Sequence, residues 1–119
     1  MAEENRRTLA LLTGADACRS HVSRAYYAAY ALVTHCLDAV GASYGRTNPA
    51  HREARSLVKR HLAGRLRDQT IQDVLQSLHW LYTMRLEADY KPASPVTAAD
   101  AARAKREVER LFMHLRNLS

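Results

Sequence analysis

The chain has 119 residues, of which 47% are hydrophobic and 25% are charged, and its formal net charge is +6. A chain of this length buries about two-thirds of the surface that its unfolded state exposes, which suffices for one hydrophobic core. The sequence therefore predicts a single domain over residues 1–119 and excludes an enzyme built from two domains.

Signals for export or membrane insertion are missing from the sequence. The longest apolar-rich stretch, Ala25 to Leu37, contains polar residues and is too short to span a bilayer. The amino-terminal segment begins with acidic residues and holds no apolar export sequence. Because Cys18 and Cys36 have no metal-ligand spacing beside them, we expect free thiols in a cytoplasmic protein that does not enter the membrane.

All of the net charge lies in one short stretch. Residues 46–67 contain seven basic residues and one acidic residue, and the rest of the chain contains eleven of each. Fifteen of the eighteen basic residues are arginine, whose planar guanidinium suits phosphate and carboxylate. The clustering favours a phosphate-bearing or acidic partner. A solvated helix face that keeps the protein soluble would explain it equally well.

Helical periodicity runs through the whole sequence, and glycine or proline separates the periodic segments. The first helix is predicted over about Ala2 to Leu12, with a stop near Gly14. The second helix covers about Ala15 to Val40 and ends at Gly41, a residue type that commonly follows helices. Its core-facing positions follow the helical repeat: Val22, Tyr26, Ala29 or Tyr30, Val33, Leu37 and Val40.

The third helix carries most of the basic stretch. Asn48 and Pro49 predict an N-cap and a proline in the first turn, after a loop over residues 42–48. The helix extends to about Ala63 and stops at Gly64. One face is mainly apolar (Ala50, Ala54, Leu57, Val58, His61 and Leu62), and another face carries Arg52, Arg55 and Lys59.

Two further helices complete the predicted fold. Asp68 is the predicted cap of the fourth helix, which runs to about Ala88 before two prolines. Its core positions are Ile71, Val74, Leu75, Leu78, Leu81 and Tyr82. Thr97 and Asp100 form a capping box that opens the last helix, which ends near Leu118. The sequence therefore predicts an all-α, antiparallel up-and-down bundle of four to five helices.

Two local patterns stand out because their residues share helix faces. The second helix contains the stretch SRAYYAAY, in which alanines allow close packing and tyrosine hydroxyls need partners. Near the end of the fourth helix, Tyr82, Arg85 and Asp89 share a face, and Tyr90 follows. Arg85 and Asp89 are spaced for an i,i+4 ion pair. A tightly packed central helix and an ion pair that joins two helices would produce the same patterns.

Together these patterns resemble the HEPN domain family (higher eukaryote and prokaryote nucleotide-binding). The resemblance rests on SRAYYAAY, on Arg-x-x-Ala-Asp-Tyr from Arg85, and on the segment Pro-x-Ser-Pro-Val-Thr before a helix rich in Ala and Glu. It covers about residues 18–117. It implies a helical bundle that dimerises, typically encoded beside a minimal nucleotidyltransferase in a bacterial toxin–antitoxin or defence pair.

In active members of the HEPN family the domain is a metal-independent ribonuclease. The family motif is an arginine followed, after four to six residues, by a histidine, and the two copies in a dimer form one RNA-cutting site. Arginine stabilises charge on the scissile phosphate, and histidine transfers protons. Arg85 matches the arginine, whereas Tyr90 stands where the histidine is expected. The predicted catalytic residues are therefore Arg85 and Tyr90, in a degenerate Arg-x4-Tyr motif.

Other residues are predicted to contact RNA or to support Arg85. The predicted phosphate contacts are basic side chains: Arg24, Arg52, Arg55 and Lys59. The predicted supporting residues are Tyr27, Tyr82 and Asp89. No cofactor and no metal site is predicted.

None of the six histidines is predicted to belong to the site. Arg55 and His61 repeat the motif spacing, but on the third helix. His79 precedes Arg85 by six residues, a rotation of about 600° that points it away from Arg85. The remaining four, His21, His35, His51 and His114, show no metal-ligand spacing.

The sequence leaves three functions open. The first is a homodimeric HEPN protein that binds or cleaves RNA and pairs with a nucleotidyltransferase-like antitoxin. The second is a catalytically silent HEPN module that binds such a partner, or a nucleotide, and cuts nothing. The third is a small DNA-binding protein. It is the weakest of the three, because the sequence has no short helix-turn-helix with a polar recognition helix.

Overall fold

The computed structural model describes residues 2–42 and 50–118, with side chains for residues 16–42, 50–116 and 118. Four α-helices follow one another: α1 (Ala2–Ala39), α2 (His51–Leu62), α3 (Asp68–Tyr90) and α4 (Ala98–Leu115). A 3-10 turn, Arg116–Leu118, follows α4. Helices α1, α3 and α4 pack against one another, and α2 lies against α1 and α3. The predicted all-α bundle is confirmed.

The predicted helix end at Gly14 is wrong, because α1 runs without interruption from Ala2 to Ala39. Glycine inside a helix costs only about 1 kcal/mol relative to alanine, and no proline follows to enforce a break. The predicted stop at Gly41 is confirmed, since Gly41 has a φ of 80°. The N–H groups of Gly41 and Ala42 donate to the carbonyls of Asp38 and Leu37, which is the Schellman arrangement.

The ends of α2 and α3 differ in detail from the prediction. The predicted cap at Asn48 and Pro49 lies outside the described residues; α2 begins at His51, and Gly64, with a φ of 83°, follows its end. Asp68 is the first residue of α3 and not its cap, because Arg67 has the extended backbone of the N-cap. A carboxylate in the first turn is still favourable beside the helix dipole.

The carboxyl end of α3 and the start of α4 bound the segment that follows Tyr90. Helix α3 continues past the predicted end at Ala88 to Tyr90. The predicted capping box is confirmed: Thr97 Oγ1 accepts from the Asp100 N–H at 3.2 Å, and Asp100 Oδ2 accepts from the Thr97 N–H at 3.0 Å. The last helix is predicted to end near Leu118, but Arg116–Leu118 form a 3-10 turn and not α-helix.

Most of the positions predicted to face the core are buried. The buried core side chains include Val22, Tyr26, Ala29, Val33 and Leu37 of α1, and Ile71, Val74, Leu75, Leu78 and Leu81 of α3. Tyr30, Val40 and Tyr82 are half-buried at the core's edge. Both cysteines are free, and the buried Cys36 lies 3.7 Å from the Leu115 carbonyl of α4. The described helices contain no apolar segment of the length that a bilayer-spanning helix requires.

Candidate functional site

The site lies where the last turns of α3 pack against the middle of α1, and it is centred on Arg85. The side chain of Arg85 is 18% exposed. Its Nε donates to Asp89 Oδ2 at 3.1 Å, one helical turn further along. Its Nη2 donates to the hydroxyls of Tyr27 at 2.9 Å and Tyr90 at 3.3 Å. The local spacing on α3 therefore produces the ion pair, and α1 adds a tyrosine from across the interface.

Aromatic rings surround the guanidinium group. Its central carbon lies 5.3 Å from the ring centroid of Tyr90, 5.4 Å from that of Tyr27 and 5.8 Å from that of Tyr26. These distances allow cation–π attraction. Tyr27 is 50% exposed and Tyr90 is 65% exposed. The site thus presents two solvent-accessible aromatic rings beside a fixed positive charge.

The partners of Arg85 stabilise its charged form and orient its side chain. Burial alone lowers the pKa of Arg85, but the hydrogen bond to Tyr27 and the neighbouring Tyr90 and Asp89 raise it overall. The Ser23 hydroxyl of α1 donates to Asp89 Oδ2 at 3.3 Å. Asp89 is therefore oriented from both helices, and through it Arg85 is oriented as well.

A second layer of aromatic side chains lies behind this surface. Tyr26 is 5% exposed, and its hydroxyl lies 3.4 Å from Nδ1 of His51 in the first turn of α2. The His51 ring stacks on Tyr82, with centroids 3.9 Å apart and planes 6° from parallel. The centroids of the His51 and His79 rings lie 5.9 Å apart. Helix α2 is thereby joined to the Arg85 site through His51.

Burial widens the pH range over which both polar groups of this layer are uncharged. It raises the pKa of Tyr26 to about 12. Burial, together with the charge of Arg55 and the neighbouring His79, lowers the pKa of His51 to about 4. An imidazole nitrogen accepts a hydrogen bond more strongly than a phenol oxygen, so we assign the Tyr26 hydroxyl as donor to Nδ1. Nε2 of His51 then carries the hydrogen.

The depressed pKa of His51 predicts a loss of stability in acid. The unfolded chain binds a proton at His51 near pH 6.5 and the folded chain only near pH 4, so the free energy of unfolding falls as the pH drops through this window. His51→Phe keeps the ring and removes the titration. Chemical denaturation at several pH values should show the decline reduced by up to about 2 kcal/mol in this variant. The matched variant His61→Gln should decline as the wild type does; an identical decline in His51→Phe would contradict the assignment.

Arg19 of α1 holds the backbone that carries the site. Its Nη1 donates to the carbonyls of Glu87 and Ala88, both at 3.1 Å, and of Lys91 at 3.2 Å. Its Nη2 donates to the carbonyls of Pro92, at 3.1 Å, and of Ser94. The last carbonyls of a helix have no partner within the helix, and the last turn of α3 has no basic side chain of its own. Arg19 supplies both the donors and the positive charge.

Comparison with known proteins identifies the fold family. The sequence matches the family model described as HEPN domain over residues 1–118. The chain belongs to the HEPN domain family. No curated protein and no solved structure matches it. The family predicted from SRAYYAAY and the Arg85 motif is confirmed.

The structure brings together part of the predicted site of this HEPN domain. Arg85, Tyr90, Asp89 and Tyr27 form one hydrogen-bonded group. Tyr82 is connected to the site through Tyr26 and His51, whose rings its own ring contacts.

The predicted phosphate contacts are more widely distributed. Arg24 is exposed and lines a shallow depression together with Ser23 and Asp89. Arg52 and Lys59 are exposed on α2. Arg55 is half-buried, and its Nε has no hydrogen-bond partner among the described residues. Arg55 therefore differs from the solvated residue that its helix face predicted.

Three residues that position the site were not predicted to do so: His51, Arg19 and Ser23. His51 has no distinguishing spacing, and Arg19 binds backbone carbonyls, which every residue possesses. Ser23 was part of the SRAYYAAY pattern but without a role. In the described part of the chain, no three His, Cys, Asp or Glu side chains form a group that could hold a metal ion.

Proposed function

We propose that this HEPN domain binds single-stranded RNA at the Arg85 site as a homodimer, in a prokaryotic toxin–antitoxin or defence module. The observation that carries the proposal is a fixed guanidinium between two exposed tyrosine rings. Arginine binds phosphate through parallel hydrogen bonds, and bases of single strands stack on aromatic side chains. Tyr27 and Tyr90 would supply the stacking surfaces, and Arg85 the phosphate contact.

The expected binding free energies support such an interface. Stacking of one base on one aromatic side chain is worth about 1–3 kcal/mol and tolerates any sequence. The basic stretch adds long-range attraction, because residues 46–67 hold the entire net charge. Arg52 and Lys59, exposed on α2, and Arg24, beside Asp89, are the proposed further phosphate contacts. Their contribution is expected to weaken with salt, as counterion release requires.

The proposed dimer forms through α1 and the carboxyl-terminal half of α3, so that two Arg85 side chains line one cleft. Tyr27 and Tyr90 both contact Arg85, so in such a dimer they would line the same cleft and stay accessible to RNA. Sedimentation equilibrium should give the mass of two chains. A nucleotidyltransferase-like antitoxin is the proposed protein partner of this dimer.

Cleavage of the bound RNA is the proposed activity, by attack of the ribose 2′-hydroxyl on the adjacent phosphate without a metal ion. Arg85 would stabilise the charge that develops on the phosphate. The Tyr90 hydroxyl, 3.3 Å from Arg85 Nη2, would donate a proton to the leaving oxygen. The phenolate that results would be stabilised by the same guanidinium.

RNA binding by Arg85→Ala, measured by fluorescence anisotropy, tests the proposal. We expect the affinity for a labelled single-stranded RNA to fall at least about tenfold, and the dependence of log affinity on log salt to weaken by about one. Arg106→Ala, which removes an exposed arginine of α4, is the charge-matched control and should change affinity by less than about threefold. The same RNA, incubated with each protein in EDTA, reports cleavage. Equal losses in the two variants would contradict a site at Arg85.

A silent interaction module is the second candidate, and the Arg85–Asp89 ion pair favours it. Asp89 already neutralises part of the Arg85 charge, and the histidine of the family motif is replaced by Tyr90. This candidate predicts no RNA cleavage at any pH and unchanged RNA binding in Arg85→Ala. It directs the search to a nucleotidyltransferase-type protein partner or a nucleotide.

A further inference from the structure

A groove of about 590 Å³ runs between α1 and α4, on a different face of α1 from the one that contacts α3. Ser23 and Tyr27 of α1 form hydrogen bonds with α3, whereas Ala25 and Ala28 line the groove. The groove is therefore a surface feature distinct from the cluster of tyrosines around the guanidinium group.

The groove is apolar and open to solvent. Alanines line it from both helices, and two of them, Ala28 of α1 and Ala102 of α4, are exposed. Phe112, which is 50% exposed, lines it toward the carboxyl end of α4. Small side chains on two neighbouring helices leave room for a third helix to pack closely against both. A small molecule fits less well, because sites for small molecules bury most of the ligand surface.

Charged side chains border the groove on both helices. Arg24 of α1 and Lys105 of α4 are basic, and Glu109 follows Lys105 by one helical turn. All three are exposed, and none forms an ion pair with another side chain that the structure describes. A helix that placed its apolar face in the groove would meet positive charge from both α1 and α4. Complementary charge selects the partner and speeds its association.

Arg24 connects the groove to the Arg85 site. It lines the groove and also the shallow depression that contains Ser23 and Asp89. Asp89 is the ion-pair partner of Arg85. A carboxylate that paired with Arg24 from the groove would therefore remove a proposed phosphate contact and add negative charge close to the RNA site.

We propose that the α1–α4 groove binds an acidic amphipathic helix of a partner protein, and that the bound helix competes with RNA for Arg24. Apolar side chains of the helix would pack between the alanines and against Phe112, as in other helices that bind grooves. Its carboxylates would pair with Arg24 and Lys105, and a basic residue with Glu109. The competition rests on the proposed RNA binding, whereas the docking stands without it.

A displayed peptide library tests the docking. Its members are helical peptides of about 16 residues, close to the shortest length at which isolated helices are stable. They share a leucine stripe at i, i+3, i+4 and i+7, and the flanking positions are random. Selection on the full chain should enrich acidic residues at those flanks. The tightest binder is synthesised with a fluorescent label, and a version with lysine at each acidic position should bind at least about tenfold more weakly.

Two pairs of matched variants locate the bound peptide. Ala28→Gln fills part of the groove, and Ala31→Gln places the same side chain on the exposed surface one turn further along α1. We expect Ala28→Gln to weaken peptide binding at least about tenfold and Ala31→Gln by less than about threefold. Lys105→Glu should weaken it at least about tenfold, and Arg106→Glu, beside the groove on α4, by less than about threefold. Circular dichroism checks that each variant is folded.

The competition is measured with a labelled single-stranded RNA. Saturating peptide should lower the affinity of the wild-type protein for RNA at least about fivefold, and RNA should lower the affinity for the peptide by the same factor. Arg24→Gln removes the side chain that the two ligands share. In this variant the peptide should change the RNA affinity by less than about twofold.

Three results would overturn the docking site. The first is a library that enriches no peptide, or a peptide that binds Ala28→Gln as tightly as Ala31→Gln. The second is equal affinity for the acidic and lysine peptides, which would refute an acidic partner. The third is a change of the wild-type dimer to a monomer in Ala28→Gln, observed by sedimentation, which would assign the groove to a second copy of the chain.

Two results would overturn the competition and leave the docking site intact. Simultaneous binding of peptide and RNA without mutual effect would show that Arg24 is not shared. A wild-type protein that binds the peptide and no RNA would refute the proposed function itself. Peptide binding is measured without RNA, so the two failures are distinguishable.

Discussion

Replacing Tyr90 by histidine is expected to raise the rate of EDTA-resistant RNA cleavage by about 100-fold near neutral pH. Histidine titrates near pH 6.5 and tyrosine near pH 10, so an imidazolium is the better proton donor to a leaving oxygen at neutral pH. The variant also restores the arginine-to-histidine spacing of the HEPN motif. Position 90 is 65% exposed and ends α3, so the new ring meets no core, and its positive form is favoured at a helix carboxyl end.

Two further variants serve as controls for this experiment. Tyr90→Phe removes the hydroxyl without adding an imidazole and should cleave more slowly than the wild type. Tyr90→His combined with Arg85→Ala should lose the gain, because the charge on the phosphate is then no longer stabilised. Gained cleavage that survives the loss of Arg85 would point to a site elsewhere or to a contaminating nuclease. A Tyr90→His rate equal to that of the wild type would mean that this position takes no part in proton transfer.

The parts of the site that are local in sequence were predictable. Arg85, Asp89 and Tyr90 lie within six residues of one helix, and helical geometry alone brings the first two together. The observed 3.1 Å contact follows directly from that spacing. Tyr27 required the family resemblance as well, because its contact with Arg85 depends on how α1 packs against α3.

The parts that depend on tertiary packing were not predictable from one sequence. His51 meets Tyr26 and Tyr82 only because α2 folds back onto α1 and α3. Its neighbours on α2 give it the pattern of an ordinary residue at a helix start. The same is true of Arg55, whose helix face is basic but whose Nε is buried. The periodicity of a helix shows which face a residue lies on. It does not show which residue of another helix packs against that face.

Of the three helix ends predicted at glycines, those at Gly41 and Gly64 were correct and the one at Gly14 was wrong. Gly41 and Gly64 both adopt a positive φ that other residues avoid, so these glycines end helices for a physical reason. Gly14 has the same chemistry but lies inside α1. The identity of a glycine shows that a left-handed conformation is permitted; the surrounding packing determines whether the chain uses it.

Replacing Arg19 by alanine is expected to destabilise the fold by about 3 kcal/mol and to lower the melting temperature by roughly 10 °C. Arg19 donates to five backbone carbonyls between Glu87 and Ser94, and hydrogen bonds from a charged donor are each worth about 1.5–3 kcal/mol. Water replaces some of them, because the contacts to Lys91 and Pro92 are exposed. The total is therefore well below the sum over five bonds.

The same variant should weaken the site, because Asp89 and Tyr90 lie between carbonyls that Arg19 holds. RNA binding by Arg19→Ala is expected to fall at temperatures where the variant is still folded, which separates positioning from unfolding. Arg19→Lys should recover only part of the stability, since one ammonium cannot reach two sets of carbonyls as a planar guanidinium does. Arg24→Ala removes an exposed arginine from the same helix and is the matched control for thermal stability. If Arg19→Ala and Arg24→Ala melted at the same temperature, the carbonyl contacts of Arg19 would carry no net stabilisation, and the carboxyl end of α3 would owe its position to the packing of α1, α3 and α4 alone.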